Sequence, residues 1–241
     1  MTIVAPVMTP AQAAAWHSLF AVHRRLPTGW CLVGGQMVHS LCWEHGITAA
    51  RPTEDADAAL DVRAHPRMLY DFTRSLADLG YGPDGESWNG HHHRWVNGSA
   101  QIDVLIPRFL GERADSRRGA SGGTTIASAG AQGALNRAGP VRIEVAGVVG
   151  TVLRPTLQGA LFAKAAALVN DDPNPDRHLL DIALLGTAVG RTVRLAEGAT
   201  TVEKRRLLSA LERLDRRPAL TAGIDRGPGV TRRLRLALDR T

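Results

Sequence analysis

Three aspartates, a pair of glycines and one lysine are the residues of this chain whose types and spacing could do chemistry. Asp55 and Asp57 stand two apart in Asp55-Ala-Asp57-Ala-Ala-Leu60, where acids alternate with small apolar residues. In a strand, side chains two apart share a face, so the two carboxylates point together while Ala56, Ala58 and Leu60 point into a core. Two such carboxylates repel each other unless a cation sits between them, and hard oxygen ligands favour Mg²⁺. Asp103 stands alone in Ile102-Asp-Val-Leu-Ile106, where an unpaired ionised carboxylate is costly to bury. It is either a third ligand, if its strand lies beside that of Asp55, or an edge-strand acid facing solvent. Gly34-Gly35 ends the apolar run Cys31-Leu32-Val33, and backbone amides there can approach an anion without interference from Cβ. Lys164 and Lys204 are the only lysines in a chain otherwise basic through arginine. Lys164 falls in the apolar helical series Leu157, Leu161, Leu168, so it either snorkels outward or reaches an anion.

These residues need a scaffold, and the patterning supplies one. Thr9-Pro10 reads as N-cap and first position of a helix over Ala11 to Arg24, with Trp16, Leu19, Phe20 and His23 on one side. Residues 31–33 form a strand, Gln36 to Trp43 a helix stopped near Gly46, and the aspartate pair a second strand. A helix from Pro66 to Leu79 follows, then a Gly/Pro/Asp/Ser loop over 82–90. Asn97-Gly98 between two strand-like runs is a hairpin cue. His91-His92-His93 cannot converge on one ion, because neighbours in a strand face opposite ways. They read as a basic strand end, with Arg94 available to a phosphate. From Gly111 to Pro140 the Gly/Ser/Ala/Thr/Arg composition suggests a flexible connector with a short helix near Ala131 to Arg137. A hairpin around Ala146-Gly147, a helix from Thr156 to Val169, a turn at Asp171-Asp-Pro-Asn-Pro and a helix from Asp176, with Asp176 as its cap, come next. The tail is helical and arginine-rich, with capping-box spacing at Thr200 to Glu203. The expected class is α+β: a mixed sheet flanked by helices over residues 1–154, then a mainly helical region over 155–241.

The order Gly34-Gly35, helix, Arg51-Pro-Thr53-Glu-Asp55-Ala-Asp57 resembles the nucleotidyltransferase superfamily, which shares the polymerase-beta-like catalytic core. Within it the motif is most similar to the AbiEii and MenT group of bacterial toxin nucleotidyltransferases. The resemblance covers residues 31–107 and 155–185. It implies transfer of a nucleoside monophosphate from an NTP to a hydroxyl, the 3′ end of tRNA or another RNA, with two Mg²⁺ ions held by Asp55, Asp57 and Asp103. It places Gly34, Gly35, Arg51, Thr53 and Lys164 at the nucleotide. Asp181, in Asp181-Ile-Ala-Leu-Leu, would orient Lys164 or the acceptor. Thr53 could order the phosphate tail, receive a modification from an antitoxin kinase, or simply cap the strand start. A cognate antitoxin protein is implied by analogy alone. The rivals are an antibiotic-modifying nucleotidyltransferase, a non-catalytic nucleotide- or RNA-binding module of the same fold and, last, a DNA-binding regulator, for which no helix-turn-helix is evident.

Composition sets the outer limits. With 241 residues, 44% hydrophobic and 22% charged, the chain can bury an ample core. No apolar run reaches the roughly 18 residues of a membrane span. The first basic cluster, His23-Arg24-Arg25, follows an apolar stretch instead of preceding one, unlike a signal peptide. Cys31 and Cys42 sit in apolar patterns and read as buried thiols in a cytoplasmic protein. Net charge of +6 favours an anionic partner such as NTP or RNA.

Overall fold

The computed structural model describes residues 1–49, 51–85, 90–169 and 174–240. A short strand, β1 (Thr2–Val4), precedes helix α1 (Pro10–Arg25). Thr9 and Gln12 close a reciprocal capping box at the start of α1, an arrangement worth about 1 kcal/mol. Strand β2 (Trp30–Val33) is buried throughout and runs straight into helix α2 (Gly34–Glu44). The glycines are thus the first residues of the helix and not a turn ahead of it. Strand β3 (Ala56–Leu60) follows, then helix α3 (Met68–Asp78), whose apolar face buries Met68, Leu69, Phe72 and Leu76. A two-residue strand β4 (Gly82–Pro83) leads to strands β5 (Arg94–Asn97) and β6 (Ala100–Pro107). Residues 86–89 of the intervening loop, like residues 171–173 of the turn expected at 171–175, lie outside the described residues.

The hairpin forms with a different loop from the Asn97-Gly98 cue. Asn97 pairs with Ala100, so Gly98 and Ser99 make the turn. The second hairpin is as expected: strands β8 (Ala138–Val145) and β9 (Val148–Pro155) flank Ala146 and Gly147, at φ +48° and +79°, the double positive φ of a type I′ turn.

The stretch 111–140 differs from its compositional reading as a connector. The short helix expected near Ala131 to Arg137 is present as α5 (Ala131–Leu135), but the stretch also carries helix α4 (Glu112–Asp115) and strand β7 (Ile126–Ser128). Leu105 to Pro107 of β6 pair with Ile126 to Ser128, and Ala131 and Ala134 are buried. Small residues there serve close packing, which composition alone does not separate from mobility.

Among the described residues two sheets result. The larger runs β2-β3-β6-β5-β4, with β7 added to β6. It is mixed: β3 and β7 lie parallel to β6, while β2–β3 and β5–β6 are antiparallel. The smaller sheet, β1-β8-β9, sets β1 parallel to β8. Trp16, Phe20, Trp30, Phe72 and Trp95 are fully buried in the core, with Trp30 edge-on to Phe72 at 5.5 Å between ring centroids. Cys31 and Cys42 are buried free thiols.

The C-terminal part is helical: α6 (Leu157–Ala167), α7 (Asp176–Thr187), α8 (Thr201–Asp215), α9 (Ala219–Ala222) and α10 (Val230–Asp239). Asp176 does not cap α7. It is the first helical residue and pairs with Arg217. Helices α6 and α7 pack on each other and on α2. Among the described residues no helix is long and apolar enough to cross a membrane.

Candidate active site

Register assembles the acidic centre. β3 and β6 lie side by side and parallel with Asp57 opposite Asp103. Asp55, two residues earlier, shares the face of Asp57, as alternation requires. One carboxylate oxygen from each of Asp55, Asp57 and Asp103 lies within 4.8 Å of the others. Asp103 is therefore no edge acid. Its strand is flanked by β3 on one side and β5 and β7 on the other, and the residue is 7% exposed.

β2 places α2 against this triad, since Val33 is the partner of Asp57. A Cβ on Gly34 would fall 1.7 Å from Asp57 Oδ2, and one on Gly35 would fall 2.3 Å from Thr53 Oγ1. Gly34 also has φ +67°, where L-residues are strained. The glycine pair thus makes room for the acid and the threonine hydroxyl beside the start of a helix. The first N–H groups of that helix have no intrahelical acceptor, and its macrodipole favours anions. Thr53 is buried and its hydroxyl donates to Asp55 Oδ1 at 3.0 Å. That bond orients a carboxylate, which a mere strand-start cap would not do.

Lys164 does not snorkel. It is 4% exposed, and its Nζ lies 2.8 Å from Asp181 Oδ2. Asp181, 1% exposed, also accepts two bonds from Arg51, from Nε at 3.1 Å and Nη2 at 2.9 Å. Burial alone would raise the Asp181 pKa, but Lys164 and Arg51 together outweigh it and hold the carboxyl below its usual range. Asp57 shows the reverse balance. Burial first, then Asp55 and Asp103, push it up to about 7, against the weaker pull of Lys164 and Arg177.

The donor set is three carboxylates with no sulfur or imidazole, which suits Mg²⁺ or a similar hard ion. The residues present therefore fit a divalent metal, with Asp55, Asp57 and Asp103 as its holders.

Apart from Asp181, which lies behind Lys164 and Arg51, these groups line one cavity of about 520 Å³. Besides the triad, its lining includes the cations Arg51, Arg94, Arg108, Lys164 and Arg177 and an apolar set, Leu105, Ile126, Ala127, Ala129, Ala131 and Ala163. Gly34, Gly35 and Thr53 lie on the wall next to the triad.

Arg94, read from sequence as available to a phosphate, instead forks its guanidinium onto Asp103, with both bonds at 3.2 Å. Gln101 adds a third bond to Asp103 Oδ1 at 3.2 Å. His93 reaches the cavity, whereas the imidazoles of His91 and His92 turn to Thr124 and Ser121. The wall from Ile126 to Ala131 was hidden in the stretch read as a connector.

No protein-family profile matches the sequence, and no curated protein matches it. Two solved structures resemble the chain. A crystal structure of an antigenic nucleotidyltransferase-like protein from Paracoccidioides brasiliensis superposes with a TM-score of 0.51 at 14% identity, over 89% of this chain and 93% of that one. The fold is nucleotidyltransferase-like. The solution structure of the antibiotic-resistance factor ANT(2'')-Ia gives a TM-score of 0.45 at 14% identity, over 88% of this chain and 95% of that one. The α+β class with a mixed sheet and helical C-terminal region is thus the observed one.

Proposed function

We propose that this chain is a metal-dependent nucleotidyltransferase that moves a nucleoside monophosphate from an NTP to a hydroxyl, with the 3′ end of tRNA as the acceptor. The observation that carries the reading is the gathering of Asp55, Asp57 and Asp103 in one cavity with a buried lysine. Its closeness to the AbiEii and MenT toxins rests on Arg51-Pro-Thr53-Glu-Asp55-Ala-Asp57, and an antitoxin partner follows from that likeness. The net charge of +6 and the arginines lining the cavity favour a polyanionic acceptor over a small neutral one. Both substrates would be met in the cytoplasm.

Asp55, Asp57 and Asp103 would hold two Mg²⁺ ions, which supply charge neutralisation and lower the pKa of the attacking hydroxyl. The chain's own groups do the rest. The α2 N-terminus at Gly34 and Gly35 receives the phosphate tail, and Lys164, braced by Asp181, places a positive charge along it. Thr53 keeps Asp55 turned into the cavity. The acceptor oxygen forms a bond to the α-phosphorus as the bond to the β-phosphate oxygen breaks. Pyrophosphate departs, and the hydroxyl proton passes to a carboxylate oxygen of Asp103. The small apolar wall has the character of a nucleobase platform. Residues 1–154 act as the catalytic unit in this reading, and 155–241 complete it through Lys164 and Asp181.

The test is direct. Each labelled NTP is incubated with the protein, Mg²⁺ and total tRNA. Lengthened, labelled tRNA that vanishes with Asp55→Ala supports the reading, and folded protein that labels no RNA with any NTP refutes it.

A further inference from the structure

Asp103 carries a forked guanidinium: Arg94 donates Nε to Oδ1 and Nη2 to Oδ2, and Gln101 Nε2 also donates to Oδ1. A carboxylate has about four lone-pair positions, so three are engaged and what remains is on Oδ2. The two partners are held unequally. Asp103 is fixed on a central strand with its side chain 11% exposed, whereas the Arg94 side chain is 40% exposed and reaches the cavity. Their backbones are cross-strand partners, so the arginine stays within reach even when the ion pair opens.

A cation that takes Asp103 as a ligand must approach a position already faced by a positive charge. We propose that Arg94 is a counter-ion latch. It satisfies Asp103 in the metal-free protein and swings off as Asp103 joins Asp55 and Asp57 around a divalent ion. The aspartate pair then loads first, and the third ligand engages last. Once released, the guanidinium stays in the cavity that Arg108 and His93 also line, where it can meet the phosphate of an arriving acceptor. Arg94 is in this sense a positioning residue, and its role rests on the reading of the triad as a metal site.

The experiment is a double-mutant cycle read by metal binding. Free Mn²⁺ is titrated by electron paramagnetic resonance against the wild type, Arg94→Gln, Asp103→Asn and the double variant, with circular dichroism to verify folding. Arg94→Gln should bind Mn²⁺ about tenfold more tightly, within the range of coupling seen between contacting side chains. In the Asp103→Asn background the same change should shift affinity by less than about twofold, because the latch has nothing left to hold. Arg94→Lys, which keeps charge but loses the fork, should fall between, and it serves in place of Arg94→Gln if that variant does not fold. An equal gain in both backgrounds would reveal a general charge effect and overturn the latch. So would Arg94→Gln binding Mn²⁺ no more tightly than a wild type that binds it well, which would make Arg94 a permanent brace. Failure of the wild type and every Arg94 variant to bind Mn²⁺, even with a non-hydrolysable NTP analogue, would instead sink the metal site itself and the latch with it.

Discussion

Replacing Asp181 with asparagine probes the joint between the sheet and the C-terminal helices. Asp181 is 1% exposed and stands between Lys164 Nζ at 2.8 Å and the Arg51 fork at 2.9 and 3.1 Å. The substitution leaves two cations facing a neutral amide. Removing one partner of a buried ion pair costs about 3–5 kcal/mol. The lower end applies here, because the Arg51 side chain is 24% exposed and retains some solvation. At roughly 2–4 °C per kcal/mol for a chain of this size, a loss of about 3 kcal/mol lowers Tm by about 6–12 °C. Lys164→Met should cost less, since Asp181 keeps both guanidinium bonds. The comparison is made by thermal melts of metal-free protein near neutral pH. Asp181 has a depressed pKa, so its contribution is present above its unfolded value near 3.8 and is lost only as pH falls through the still lower folded value. An Asp181→Asn melt within about 2 °C of wild type, or a larger fall for Lys164→Met than for Asp181→Asn, would refute the reasoning.

Gly34→Ala should abolish Mn²⁺ binding and transfer, because its Cβ would overlap Asp57 Oδ2; a calorimetric titration that finds wild-type affinity would contradict it. For pH, Asp57 has a folded pKa near 7 against 3.8 unfolded, so in metal-free protein it removes stability as pH rises through that window. His23, His39 and His93, all lowered by burial, pull the opposite way below 6.5. The measurement is therefore the Tm of wild type minus that of Asp57→Asn, which should rise as pH drops from 8 to 5, by up to about 2.5–3 kcal/mol in stability terms. Saturating Mg²⁺ should flatten that difference, and a difference independent of pH without metal would count against the assignment. Glu203→Ala removes a capping box and the Arg137 pair at 2.8 and 3.1 Å; a loss of about 1–2 kcal/mol is expected, with Mn²⁺ affinity unchanged.

The features legible in the sequence were those written in local pattern. Alternation put Asp55 and Asp57 on one face, and the cost of burying a lone acid singled out Asp103. Lysine scarcity singled out Lys164, though only the fold showed it buried against Asp181. Register was harder. A hairpin turning on Asn97-Gly98 would set His92 opposite Asp103, whereas the observed turn at Gly98-Ser99 sets Arg94 there. That step separates a free arginine from a counter-ion, and a turn propensity does not decide it. The stretch 111–140 was obscured for another reason: alanine, glycine and serine appear both in mobile chain and where helices approach closely. Here Gly130 has no room for a side chain, as a Cβ would lie 3.0 Å from the α6 backbone at Ala163.

The site coheres through the tripeptide Arg51-Pro52-Thr53. The Thr53 carbonyl accepts bonds from Gln12 at 2.7 Å and Gln36 at 3.1 Å, and the Arg51 carbonyl lies 2.9 Å from His39 Nε2. Helices α1 and α2 therefore grip this segment by its backbone, while Pro52 restricts Arg51 to extended conformations. The side chains point the other way in function: Arg51 to Asp181 on α7, Thr53 to Asp55. A displacement of α7 would thus reach Asp55 through three residues held at both ends, and so would a displacement of α1. The aim of the first carboxylate depends on this clamp through the Thr53 hydroxyl. Loosening Gln36, which is itself held by Trp16 Nε1 at 3.2 Å, should disturb the site without touching a single group that lines its acidic end.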